Sequence, residues 1–125
     1  MSYTPEQIIY ARRTMMERAG WIVEQTGEAE WRVTTPTHCQ LYANEEFARE
    51  STPNPFTNAN ALDAVVAALS VLELLSYWRQ LLHEVGVLEK WSDGEFAIAF
   101  THALPVQTRA ECAARAMGML PEVKA

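Results

Sequence analysis

A chain of 125 residues with 49 % hydrophobic and 21 % charged residues has the length and balance of one ordinary globular domain over residues 1–125, which excludes a disordered chain or a disulfide-stapled miniature. A formal net charge of −6 repels phosphate, so direct nucleic-acid binding is disfavoured. The most apolar run, Ala61 to Leu75, is shorter than the ~20 residues of a bilayer span and carries Asp63 and Glu73, so no membrane contact is expected.

The first element is a helix over about 5–19. Thr4 serves as N-cap, Pro5 occupies the first turn, and Gln7 stands where a capping box needs it. Ile8, Ile9, Ala11, Met15, Met16 and Ala19 recur at helical spacing, and Gly20 supplies the left-handed residue that ends the helix. From Trp21 the period changes to two. Trp21, Val23, Trp31 and Val33 share a face of a hairpin turning at Thr26-Gly27-Glu28, which requires an odd-numbered loop of three or five residues. Pro36 ends the second strand, and His38 to Glu50 is polar with helical character.

Ser51-Thr52-Pro53-Asn54-Pro55 breaks the chain without separating domains. One long helix follows, capped by Thr57 or Asn58. It runs through Leu62, Val65, Val66, Leu69, Leu72, Leu75, Trp78 and Leu82 to about Gly86, with Ser70 marking a bend. A second hairpin turns at Asp93-Gly94 and carries Trp91, Phe96, Ile98 and Phe100 on one apolar face. A last helix spans about 106–119, with Thr108 and Glu111 as its capping box and Pro121 as its stop. Both halves read helix, glycine, hairpin. The expected architecture is therefore α+β, a four-stranded antiparallel sheet from two hairpins with three to four helices packed on it.

The residues offer little for catalysis. His83-Glu84 opens a metalloprotease-like pair, but the second histidine falls on Val87. His38 and Cys39 are adjacent, and neighbours on a chain point apart. Cys39 and Cys112 form neither a redox nor a zinc motif, and no phosphate-binding glycine loop occurs. No catalytic residue, metal or cofactor is expected. The start, Met1-Ser2-Tyr3-Thr4-Pro5, lacks the basic and apolar regions of a secretory signal, so a cytoplasmic location is expected.

The remaining signal lies in charge and aromatic residues. Glu24, Glu28, Glu30, Glu45, Glu46 and Glu50 fall in a stretch whose basic residues are Arg32 and Arg49, and they are the candidate protein-binding residues. Arg12, Arg13 and Arg18 outnumber Glu6 and Glu17 on the first helix, which makes one face locally basic. Tyr77, Trp78 and Arg79 cannot all face inward on one helix, so Trp78 joins the candidates as an apolar anchor.

The stretch Asn54-Pro55-Phe56-Thr57-Asn58, the hairpin from Trp91 to Phe100 and the helix Thr108-Arg109-Ala110-Glu111-Cys112-Ala113-Ala114-Arg115-Ala116 together resemble small phage ABA-sandwich-type proteins. The resemblance implies a phage or prophage accessory protein in the host cytoplasm that acts by protein contact, such as an inhibitor of a host defence complex of the anti-CRISPR kind. The implied partner is a protein, best sought among nucleic-acid-binding host complexes, since glutamates can occupy a channel built for phosphates. A homodimer, and a small-ligand protein or enzyme with a pocket between sheet and helices, stay open.

Overall fold

The computed structural model describes residues 3–85 and 104–121, and these form an α+β fold. Its elements are α1 (Pro5–Arg18), β1 (Ile22–Gly27), β2 (Glu30–Thr34), β3 (Cys39–Tyr42), α2 (Glu45–Glu50), α3 (Ala59–Ala67), α4 (Val71–Val85) and α5 (Val106–Ala116). No helix among the described residues is long and apolar enough to cross a membrane. The expected second hairpin, with Trp91, Phe96, Ile98 and Phe100, lies outside the described residues, as do Val87 and His102.

Local chemistry sets the start of α1. The Gln7 amide donates to Thr4 Oγ1 at 3.2 Å while the Thr4 amide donates to Gln7 Oε1 at 2.8 Å, closing the expected capping box. Ala11, Met15 and Met16 form its buried face. Gly20 follows at φ +100°, a region that favours glycine, and a Cβ there would stand 3.1 Å from Pro36 Cγ.

The hairpin of β1 and β2 turns later than expected, at the two residues Glu28-Ala29 inside the Gly27–Glu30 pair and not at Thr26-Gly27-Glu28, and a bulge supplies the parity that an odd loop was expected to give. Val23 pairs with Val33 and Gln25 with Trp31, leaving five residues between the last regular pair. The bulge lies at Thr26. Val23, Trp31 and Val33 consequently share a face. Val33 is buried there and Trp31 half-buried.

Three further expectations are corrected. The polar segment after His38 begins with a strand, so the described sheet is three-stranded and antiparallel in the order β1-β2-β3. Its register sets Tyr42 opposite Trp31 and Gln40 opposite Val33. A serine/threonine turn makes this return: Thr35 Oγ1 accepts the amides of Thr37 and His38 at 3.2 and 3.0 Å. The long helix is two helices, α3 capped by Asn58 and α4 by Ser70. Ser70 Oγ accepts the Glu73 amide at 3.2 Å while the Ser70 amide donates to Glu73 Oε1 at 2.9 Å, a capping box in the middle of the apolar run. Finally, α5 begins beyond Pro105 with no side-chain cap, and Thr108 lies inside the helix, so the Thr108–Glu111 box does not form.

The described core is mainly helical. Ala11, Met15 and Met16 meet Leu62 and Val65 of α3, Tyr77 and Leu81 of α4, and Ala110, Cys112 and Ala113 of α5. The alanines keep the α4–α5 and α3–α5 approaches close. On the sheet's inner side, Val33 and Ala48 of α2 are both buried.

Candidate functional site

The fold divides the acidic stretch. Strand alternation sends Glu24 and Glu30 to the outer face, opposite the side of Val23 and Val33. Glu24 is ion-paired there to Arg32, whose Nε donates to Glu24 Oε1 at 2.9 Å, and this raises the Arg32 guanidinium above its ordinary pKa. Glu30 accepts from Thr26 Oγ1 at 3.0 Å, and Glu28 sits at the turn. Glu45, Glu46 and Glu50 are exposed on α2, where Glu45 accepts from Arg49 Nε at 2.7 Å. The structure therefore gathers three of the six on one short helix and places the others on the hairpin.

Trp78 lies half-buried on α4, its ring centroid 5.9 Å from that of Tyr77. Both rings line a hollow of about 400 Å³ with Asp63 of α3 and Arg109 of α5. Burial pushes the Tyr77 phenol up to about 12, so it stays neutral and is no general base at neutral pH. Arg79, the third of the trio, is exposed.

The same helix shows a feature that the sequence pattern concealed. Val71 is 75 % exposed, Leu72 79 % and Leu75 58 %, although the uninterrupted period counted Leu72 and Leu75 as inward. The break before α4 changes the phase of the helix, so Leu74, Tyr77 and Leu81 turn toward the core instead. The spacings of three and four residues gather Val71, Leu72 and Leu75 on adjoining positions of one face.

A second concavity of about 140 Å³ opens between α1, β1 and α2. Met16, Trp21 and Val23 make its apolar floor, and Arg12, Arg13, Glu17, Arg49 and Glu50 bring charge to its lining. Arg12 is tethered by an Nη2 donation to the Thr52 carbonyl at 2.8 Å. The arginine excess on α1 was legible, but Arg18 leaves this group: its guanidinium grips Glu73 at the start of α4, with Nη1 to Oε1 at 2.6 Å.

Of the residues weighed for chemistry, His38 and Glu84 are engaged in hydrogen bonds and Cys112 is buried. His38 Nδ1 stands 3.1 Å from Thr35 Oγ1 and 3.0 Å from Thr37 Oγ1, inside the turn that starts β3. Cys39 is exposed, whereas Cys112 is buried and its thiol is pushed up to about 12 by that burial. Glu84 accepts from Arg115 Nη1 at 2.9 Å, and Arg115 Nε donates to Tyr3 Oη at 2.6 Å. Among the described residues no three His, Cys, Asp or Glu side chains converge as a metal set. Compared with known proteins, the chain matches no protein-family model, no curated protein and no solved structure.

Proposed function

We propose that this chain is a small phage accessory protein that acts by binding another protein, in the manner of an inhibitor of a host defence complex, and not by catalysis. The observation that carries the reading is the apolar face of α4: adjoining exposed Val71, Leu72 and Leu75 gain from burial only when something else covers them. Exposed Arg79 extends the same helix toward a polar rim, the usual surrounding of an apolar contact centre. The resemblance of the second half to phage ABA-sandwich-type proteins supports the setting. Glu45, Glu46 and Glu50, with the net charge of −6, would speed encounter with a basic partner surface.

The test places a photo-reactive residue at position 72, with the same probe at position 63 as control, in protein expressed in bacterial cells. Discrete adducts to one host protein from position 72, absent from position 63 and lost in the Leu75→Glu variant, support the reading. Adducts only between copies of the chain would make the face a self-association surface, and no adduct would overturn the proposal. Leu75→Glu itself should shift stability by only about 0.5 kcal/mol, because the side chain it replaces is already more than half exposed.

A further inference from the structure

We infer that the cleft between α1, β1 and α2 binds a small zwitterion with an apolar body, of the class of a free aromatic or branched α-amino acid. This site is separate from the α4 face and goes beyond the protein-contact reading. The floor is apolar: Met16 is buried, and Trp21 and Val23 are half-buried beside it. A volume of about 140 Å³ is close to the ~150 Å³ apolar cavity known to accept a benzene ring, so it has room for one aromatic or branched side chain.

The lining charges choose among ligands of that size. Arg49 is already committed to Glu45. Arg12 is held by the Thr52 carbonyl through one guanidinium nitrogen and keeps further N–H donors. Arg13, Glu17 and Glu50 make no ion pair among the described residues, although Arg13 and Glu17 stand four apart on α1. A simple anion would meet Glu17 and Glu50, and a simple cation would meet Arg12 and Arg13. A neutral apolar molecule would cover the floor and use neither pair. An α-amino acid carries a carboxylate and an ammonium on a single carbon. It sets the carboxylate toward the guanidinium groups and the ammonium toward the glutamates while its side chain lies on Trp21 and Met16.

The experiment follows the Trp21 indole N–H by NMR in the full chain during titration with phenylalanine, 3-phenylpropionate, phenethylamine and glycine. Phenylalanine is expected to shift that signal with a Kd at or below about 1 mM, the range open to a ligand of this size. The three analogues lack the ammonium, the carboxylate and the side chain in turn, and each should bind at least about tenfold more weakly. Glu17→Gln should weaken phenylalanine while leaving 3-phenylpropionate no weaker, and Arg13→Gln should weaken phenylalanine while leaving phenethylamine no weaker, because each change removes a like charge from the analogue's surroundings. Both positions are exposed, so the variants retain the fold. No shift of Trp21 up to about 10 mM phenylalanine, or equal binding of 3-phenylpropionate, would overturn the inference.

Discussion

The two cysteines show how one residue type takes opposite characters from its surroundings. Cys39 begins an exposed strand at the edge of the described sheet, while Cys112 lies at 0 % exposure between α5 and its neighbours. Burial disfavours the charged thiolate, so the Cys112 thiol stays protonated far above neutral pH and offers no nucleophile. Native protein should release one equivalent of chromophore with a thiol reagent at pH 8, and the second only after unfolding in urea. Two fast equivalents would show that α5 is not packed as described. His38 makes the same point from the other side: its ring is engaged with Thr35 and Thr37, so its neighbour in sequence is not its partner in space.

At the scale of elements, the junction of α3 and α4 determines which side chains reach solvent. Ser70 and Glu73 satisfy each other's amides, and Arg18 fixes the Glu73 carboxylate from α1. Ser70→Ala should cost about 1 kcal/mol in chemical denaturation, the usual loss for an N-cap serine. The Arg18 guanidinium first, and the Ser70 amide next, hold the Glu73 carboxyl below its ordinary pKa. A carboxyl depressed in the folded state contributes stability that is fully present above the unfolded value of about 4.3 and is lost as pH falls through the lower folded value. Glu73→Gln should therefore lower stability at neutral pH and shrink the loss seen below about pH 4.3. An unchanged acid limb in urea melts across that range would remove Glu73 from the account. Gly20 has a comparable role between α1 and β1, where its positive φ and the nearby Pro36 ring leave little place for a side chain.

At the scale of the molecule, distant segments are tied through Arg115. Its side chain is 5 % exposed, and its guanidinium joins Tyr3 before α1 to Glu84 on α4 and stands 5.6 Å from the Tyr3 ring centroid. Tyr3 Oη in turn donates to the Pro121 carbonyl at 3.3 Å, so the two ends of the described chain meet there. Arg115→Leu removes the donors and leaves Glu84 and Tyr3 without them. Because Glu84 retains partial contact with water, the expected cost is about 2–3 kcal/mol, below the upper range for a fully buried pair. Equilibrium urea unfolding reads this directly, and a loss under about 0.5 kcal/mol would reduce the cluster to an ordinary surface pair.

What the sequence determined by itself were the features closed within a few residues. The Thr4–Gln7 box and the Asn58 cap follow from neighbouring residues and stand where the pattern put them, and strand parity correctly put Val23, Trp31 and Val33 on one face, although a bulge at Thr26 before a two-residue turn achieves this and not an odd loop. The tertiary structure decided what depends on contact at a distance. Cys39-Gln40-Leu41-Tyr42 has little strand signal of its own because three of its four side chains are exposed, and it becomes β3 by pairing with β2. The period from Leu62 to Leu82 is helical on both sides of Ser70, so it cannot show that a break changes the phase and sends Leu72 and Leu75 to solvent. The Arg12–Arg13 pair was legible as local basic charge, but its company was not: Trp21, Val23 and Glu50 come from β1 and α2, and only packing brings them to the same cleft.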